Sequence, residues 1–282
     1  MLRLKKFRSK LRAVKLFFLS ALLLVLSSCA SLSSSGVGRV KRYTVESESL
    51  PPSFDGYEIA FVSDIHYPSL FSQRRLGRLV NKLRALAPDM LLLGGDYVTD
   101  DAFVPELFDS IATVAPVDGI YAVWGNHEQR NKPVVSEYLA RSGVQLLADD
   151  TAFIERDGSR FCLAGVSDSF HYDSLKGTPL DSVPDSCFTV LLCHTPDYAE
   201  QSSVAADIVL SGHTHGGQVS LFGLFTPVRN SKYGTRFLRG RNVTSSGATV
   251  ITTNGVGTSR RKLRFCVPSE IVVVTLKRPG KR

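Results

Sequence analysis

Glu58-Ile59-Ala60-Phe61-Val62-Ser63-Asp64-Ile65-His66 decides the fold. A short apolar run stops at a carboxylate and an imidazole two residues apart. The pattern recurs in Met90-Leu91-Leu92-Leu93-Gly94-Gly95-Asp96 and in Ile120-Tyr121-Ala122-Val123-Trp124-Gly125-Asn126-His127-Glu128. It returns in Val190-Leu191-Leu192-Cys193-His194 and in Ile208-Val209-Leu210-Ser211-Gly212-His213-Thr214-His215. Five of the six histidines lie in these motifs, and only His171 stands apart. Continuous apolar runs of this length read as strands buried on both faces. Each carries its polar motif at the carboxyl end, where ligand sites gather in open α/β sheets. Five segments distant in sequence are therefore expected to converge on one rim. Mixed imidazole, carboxylate and amide groups there suggest a two-metal hydrolytic centre.

Between the strands the period changes. Leu76, Leu79, Val80, Leu83 and Leu86 share one face of a helix expected from Gln73 to Ala87, and Pro88 closes it. Shorter helices are expected around Pro105–Thr113 and Pro133–Arg141. Strand-helix alternation implies a largely parallel sheet covered on both faces. The later half is richer in strands. Ala152–Arg156 and Phe161–Val166 flank the hairpin signal Asp157-Gly158, and Glu270–Leu276 is a final Val-rich strand. No internal repeat is visible.

The 282 residues suit one large domain behind a targeting segment. Hydrophobic content of 43% and charged content of 21% are ordinary for a globular chain. The formal charge of +8 comes from the N-terminus: residues 1–15 hold seven basic side chains and no acid, and without them +1 remains. That balance argues against a nucleic-acid partner. A basic stretch, the apolar Leu16 to Leu26 and small residues at Ser27-Ser28-Cys29-Ala30 form the three parts of an export signal. Leu26-Ser27-Ser28-Cys29 resembles a bacterial lipobox; an uncleaved anchor and plain cleavage are the alternatives. All three place the body of the chain in the bacterial envelope, outside the cytoplasm. Residues 1–30 are thus read as signal or anchor, 31–56 as tether and domain entry, 57–276 as the domain and 277–282 as a basic tail. Cys162, Cys187, Cys193 and Cys266 permit two disulfides, but burial of Cys162 and Cys193 as small apolar groups is the simpler reading.

In this order the motifs DxH, GGD, GNHE, a lone histidine after a strand, and GHTHGGQ resemble the calcineurin-like metallophosphoesterases. The resemblance runs from about Tyr57 to Leu276. It implies a four-layer αββα sandwich, two mixed sheets flanked by helices, with the active site at strand carboxyl ends and two divalent metals. By motif, Asp64, His66 and His215 would hold the first metal. Asn126, His194 and His213 would hold the second, and Asp96 would bridge both. The Asp64-x-His66 spacing suits an extended strand end, where side chains two apart share a face. A ligand set of N and O without thiolate suits Mn, Fe or Zn, and the resemblance favours Mn. The implied chemistry is attack on phosphorus by a metal-bridging hydroxide, with His127 as the non-ligand histidine that steadies the transition state or protonates the leaving oxygen.

The GHTHGGQ form and Gly255-Val256-Gly257-Thr258-Ser259 look like the membrane-associated bacterial branch, which includes UDP-2,3-diacylglucosamine pyrophosphatases. A phosphodiester or pyrophosphate substrate, lipid-linked in one reading, is expected. Arg260 and Arg261, in a basic run with Lys262 and Arg264, are candidate substrate contacts, or else a solvated face. His171 is a further candidate, with a solvated loop position as the plainer reading. Phe222, Leu224 and Phe225 are read as an apolar lip or as core. A nuclease and a non-catalytic metal-binding protein are the competing classes. The near-neutral domain opposes the first, and the complete ligand set opposes the second.

Overall fold

The computed structural model describes residues 10, 12, 14–20, 36–167, 178–200, 204–220 and 225–280. In chain order these form β1 (Arg39–Glu46), β2 (Glu58–Val62), α1 (Gln73–Leu86), β3 (Met90–Leu93), α2 (Val104–Ala112), β4 (Ile120–Ala122), α3 (Lys132–Arg141), β5 (Val144–Leu146), β6 (Asp150–Arg156), β7 (Ser159–Gly165), β8 (Thr189–Leu192), β9 (Ile208–Ser211), β10 (Gly240–Val243), β11 (Thr249–Thr252) and β12 (Glu270–Lys277). His171, Cys29, Phe222 and Leu224 lie outside the described residues. Among the described residues, no helix is long and apolar enough to cross a membrane.

Two six-stranded sheets stack, in the orders β1-β12-β2-β3-β4-β5 and β10-β11-β9-β8-β7-β6. Both are mixed. In the first, β2 through β5 run parallel and β12 is antiparallel to β2. In the second, β7, β8, β9 and β11 run parallel, with β6 and β10 antiparallel at the edges. The period of two along each strand sorts side chains between layers. Ile59, Phe61, Met90 and Leu92 meet Val190, Leu192, Ile208 and Leu210 between the sheets. Ala60, Val62, Leu91 and Leu93 face the other way and meet Leu76, Leu79 and Leu83 of α1 and Leu107, Phe108 and Ile111 of α2. Leu191, Cys193 and Val209 pack on the far face with Tyr198 and Phe237. There, among the described residues, the cover is loop and the 3-10 turn Pro196–Glu200.

The expected helices form within a residue or two of their bounds. α1 ends as Ala87 turns left-handed at φ 45°, one residue before Pro88. Asp157 and Gly158, both at positive φ, make the two-residue hairpin between β6 and β7. The tether expectation fails from Arg39 onward. Arg39–Glu46 pairs in parallel with β12 over eight residues, so the domain begins there rather than at Tyr57. The stretch reads as a tether from the Ser and Gly that precede it; β1 is an edge strand, where charged side chains discourage pairing with other chains. Cys162, Cys187 and Cys193 are free thiols, with Cys162 and Cys193 buried.

Phe161 sits at the centre of an aromatic cluster, edge-on to Phe54 at 4.8 Å, Tyr57 at 5.6 Å and Phe188 at 6.1 Å. Phe161→Ala should cost about 3–5 kcal/mol in urea unfolding. Phe153→Ala on the neighbouring strand, 38% exposed, should cost less than about 1 kcal/mol. Equal losses would show that the cluster does not anchor the two sheets.

Candidate metal centre

The carboxyl ends of β2, β3 and β4 in one sheet meet those of β8 and β9 in the other. Asp64 and His66 follow β2, Asp96 follows β3, and Asn126 and His127 follow β4. His194 follows β8, and His213 and His215 follow β9. Bonds across the two sheets fix the junction. The Gly94 carbonyl accepts from His194 Nδ1 at 2.6 Å, and the His213 amide donates to both Asp64 carboxylate oxygens at 3.1 Å. Such closeness leaves no room for a side chain at Gly212, where a Cβ would lie 2.1 Å from Ser63 Oγ. Gly95 adds a φ of +92° to a similar squeeze against Gly125.

The side chains form two groups sharing Asp96. In the first, His215 Nε2 lies 3.4 Å from Asp64 Oδ1 and 3.2 Å from His66 Nε2. In the second, His194 Nε2 lies 3.2 Å from both Asn126 Oδ1 and His213 Nδ1, and 3.5 Å from Asp96 Oδ1. Asp96 Oδ2 reaches back to His66 Nε2 at 3.6 Å. Three triads, Asp64-His66-His215, Asp96-His194-His213 and His66-Asp96-His127, each place their donor atoms within 4.8 Å of one another. Every residue expected as a ligand is thus brought to this cluster. His127 is at the edge, its ring 43% exposed and Nε2 3.9 Å from Asp96 Oδ2.

The local backbone differs from the expectation of an extended Asp-x-His segment. Asp64, His66, Asp96, His213 and His215 all have φ between 51° and 66°. Each such residue costs on the order of 1 kcal/mol or more. Main-chain bonds hold them there: Asp64 N to Gly95 O at 3.0 Å, His66 N to Asp96 O at 3.1 Å and Gly257 N to Asp64 O at 2.9 Å. The left-handed turns aim successive ligands into one point, which simple strand alternation does not do.

Charge and burial set the protonation. Burial lowers His66 to about 4 and His213 to about 3, and holds His215 well below the usual histidine range. Burial raises Asp64 to about 6, against the pull of His194. Burial also works to raise Asp96, but His194, then His66 and His127, outweigh it and hold Asp96 well below the usual carboxylate range. For His194 burial favours the neutral ring, yet Asp96 and then Asp64 raise it to about 10. Neutral imidazoles beside an ionised carboxylate are the forms that bind metal. The buried carboxylates of Asp96 and Asp64, which raise His194, favour positive charge at this point. A pair of divalent cations among these N and O donors supplies that charge, so the residues fit the metals.

Three supports were not anticipated from the sequence. Glu128 is fully buried and accepts from the amides of Asp96 at 2.9 Å, Tyr97 at 2.8 Å and Gly125 at 2.9 Å, locking the β3 and β4 loops together. Arg264, read as part of a basic run, is 2% exposed. Its guanidinium donates to the carbonyls of His215 at 3.1 Å, Asn254 at 2.5 Å, Gly255 at 3.3 Å, Gly257 at 2.6 Å and Val267 at 3.3 Å. Arg75 of α1 donates to Val256 O at 2.7 Å in the same loop. The third is the loop at Asn230–Lys232, tied to Asp197 by Ser231 Oγ and the Lys232 amide, both at 2.6 Å. Only Glu128 carried a signal, its fixed place in the Gly125-Asn126-His127-Glu128 motif.

A cleft of about 800 Å³ opens over the cluster, lined by His66, Asp96, His127, His213 and His215 and walled by Lys232 and Arg260. Arg260 therefore lies where a substrate contact was expected. Arg261 lines a smaller adjoining chamber, and Phe225 is exposed.

Two mixed sheets with paired metal-ligand triads at their joined carboxyl ends define a dinuclear metallohydrolase. The profile of the calcineurin-like phosphoesterases matches residues 57–217, so the chain belongs to that family and is a metal-dependent phosphoesterase. It is similar to the metallophosphoesterase YkuE of Bacillus subtilis, 29% identical over 83% of this chain and 84% of that one. A metallophosphoesterase of Aquifex aeolicus is 30% identical over 86% and 93%. The phosphodiesterase YaeI of Escherichia coli is 28% identical over 78% and 82%.

Because the Asp96 and Asp64 carboxylates raise His194 to about 10, metal uptake at pH 7 should release a proton. Affinity should then rise about tenfold per pH unit between pH 6 and 8. Calorimetry in buffers of different ionisation enthalpy measures the release, and pH-independent affinity would contradict this electrostatic reading. Arg264→Lys keeps the charge but not the fork. It should destabilise the protein by about 2–4 kcal/mol, given about 1 kcal/mol per buried hydrogen bond lost, in a thermal or urea melt.

Proposed function

We propose that the chain hydrolyses phosphodiesters, with Asp64, His66 and His215 holding one divalent ion, Asn126, His194 and His213 the other, and Asp96 both. The convergence of these seven side chains beneath one open cleft carries the reading. When bound, the two ions supply charge for the phosphate oxygens and lower the pKa of a water molecule. A donor set of nitrogen and oxygen alone suits Mn, Fe or Zn, with Mn favoured by the family resemblance. Cys193, beside His194, is turned instead toward Ser211 Oγ at 3.1 Å.

The remaining groups act on the substrate. His127 faces the cleft, and its position is set by its amide, which donates to Asp96 Oδ1 at 3.0 Å. From there the imidazole steadies the transferred phosphoryl or gives a proton to the leaving oxygen. Lys232 and Arg260 add positive charge to the wall, which suits an anion. Likeness to a protein named a phosphodiesterase supports the diester over the monoester. Among the described residues that line the cleft there is no Phe, Tyr or Trp, so these residues offer no platform for stacking nucleic-acid bases. The basic, apolar and small-residue order of the N-terminus supports placement in the cell envelope.

The test uses bis(p-nitrophenyl) phosphate with Mn²⁺, and metal content by mass spectrometry. Asp96→Ala should lose both bound metal and turnover. His127→Ala should keep two metals per chain and lose about 10²–10⁴-fold in kcat. Full activity in Asp96→Ala would sink the dinuclear reading. Loss of metal in His127→Ala would make that histidine a ligand. UDP-2,3-diacylglucosamine as substrate, with UMP as the product sought, separates the pyrophosphatase alternative.

A further inference from the structure

The first ligand group meets through Nε2 of its histidines: His215 Nε2 faces Asp64 Oδ1 at 3.4 Å and His66 Nε2 at 3.2 Å. The other ring nitrogen of His215, Nδ1, is buried and has no hydrogen-bond partner among the described residues. His194 of the second group differs, for its Nδ1 lies 2.6 Å from Gly94 O. A histidine that gives one nitrogen to a metal carries its proton on the other, and an acceptor for that N–H fixes the ring. A buried donor left bare is costly.

A buried acceptor beside His215 is also without a partner, Asn254 Oδ1. The Arg264 guanidinium brings the two residues side by side. Its Nη1 donates to His215 O at 3.1 Å and its Nη2 to Asn254 O at 2.5 Å. Asn254 Oδ1 lies against the residue that follows His215, where a Cβ on Gly216 would come within 2.1 Å of it. Only glycine at 216, with φ at +62°, leaves this approach open. The direction of the amide follows from its other end. Asn254 Nδ2 donates to Pro268 O at 3.0 Å and to Glu270 Oε2 at 3.3 Å. A backbone carbonyl can only accept, so the nitrogen points there and the oxygen points toward Gly216. Glu270 Oε1 accepts from the Asn254 amide at 3.1 Å. The residue is thus held at its nitrogen, its main-chain amide and its carbonyl, with Oδ1 alone uncommitted. Asn254 is not among the residues lining the cleft, so any effect it has on the site passes through a ligand.

We propose that Asn254 is a positioning residue for the first metal: its Oδ1 takes the Nδ1–H of His215, directly or through one trapped water, and holds the ring with Nε2 turned to Asp64 and His66. This rests on the dinuclear reading above and adds a residue outside the seven ligands. The test is Zn²⁺ binding by calorimetry, with proton-nitrogen NMR of the Zn²⁺-loaded, ¹⁵N-histidine-labelled protein. In wild type the Nδ1–H of His215, assigned by its contacts to Gly216, should exchange slowly with water. Asn254→Ala should weaken one zinc site by about 10–100-fold, leave the other within about twofold, and shift or remove the His215 signal. The Nδ1–H of His66, whose nitrogen is also buried and unpartnered, is the internal reference and should stay in place. Asn254→Asp keeps an acceptor oxygen but loses the donor to Pro268 O. It should melt lower than wild type yet bind zinc within about threefold of it. A residue that only supports the loop would show no such split between melting temperature and affinity. Unchanged zinc affinity in Asn254→Ala, or Asn254→Asp as weak as Asn254→Ala, overturns the proposal. Where Asn254→Ala does not fold, the wild-type spectrum decides, and a His215 Nδ1–H exchanging as fast as that of an exposed imidazole overturns it. Failure of wild type to bind two zinc ions overturns the dinuclear reading and this proposal with it.

Discussion

The carboxylate of Asp96 is the point at which the two sheets depend on one another. It is 3% exposed, and it faces His66 from one ligand group and His194 from the other. An ionised carboxylate taken out of water is costly unless charge and hydrogen bonds surround it. Here the surrounding groups arrive from both halves of the molecule: His66 from β2, the His127 amide from β4, and His194 from β8. Neither sheet supplies enough alone. The apolar core between the sheets therefore does more than stabilise the chain. By bringing Val190 and Leu192 against Phe61 and Leu92, it sets the distance between the strand ends on which the ligand cluster rests.

That cluster is held in strained backbone. Five ligand residues sit in the left-handed region, which none of them would choose in a free peptide. The strain persists because several rigid contacts specify the same conformation. Glu128 gathers three amides behind Asp96, and Arg264 gathers five carbonyls behind His215 and the Asn254–Gly257 segment. One is a buried anion collecting donors and the other a buried cation collecting acceptors. Each satisfies main-chain groups that irregular loops would otherwise leave bare. These contacts fix the backbone positions from which the ligand side chains project.

What the sequence displayed, it displayed through period and punctuation. Five buried strands were legible because apolar residues run almost without interruption up to a glycine, a carboxylate or a histidine. α1 was legible because Leu76, Leu79 and Leu83 repeat at helical spacing. β1 was hidden because Ser and Gly run up to it and an edge strand with Arg39, Lys41 and Arg42 lacks the apolar run that marks a buried strand. The ligands were legible as motifs, but their geometry was not: φ near 60° at His66 follows from bonds to Asp96 and from packing, and no local residue pattern announces it. Arg264 misled for a similar reason. Four basic residues close together look solvated, and only the fold reveals that one of them turns inward to the carbonyls of two loops.

The division of labour along the chain follows from where each wall originates. All seven ligand residues and His127 fall within residues 57–217, the span matched by the family profile. The chamber walls Val219, Pro227, Val228 and Leu263, the Asn230–Lys232 loop and Arg260 all lie beyond it. Those later segments are fastened by bonds that do not touch the ligands' side chains, through Asp197 for one loop and Gln218 for the other. Their side chains can change while the metal geometry stays fixed by the strand ends, Glu128 and Arg264. A strained, over-specified centre and an adaptable rim are consequences of the same topology. The parallel strands point every ligand to one end of the sandwich, and the loops that close that end are left to decide what reaches the metals.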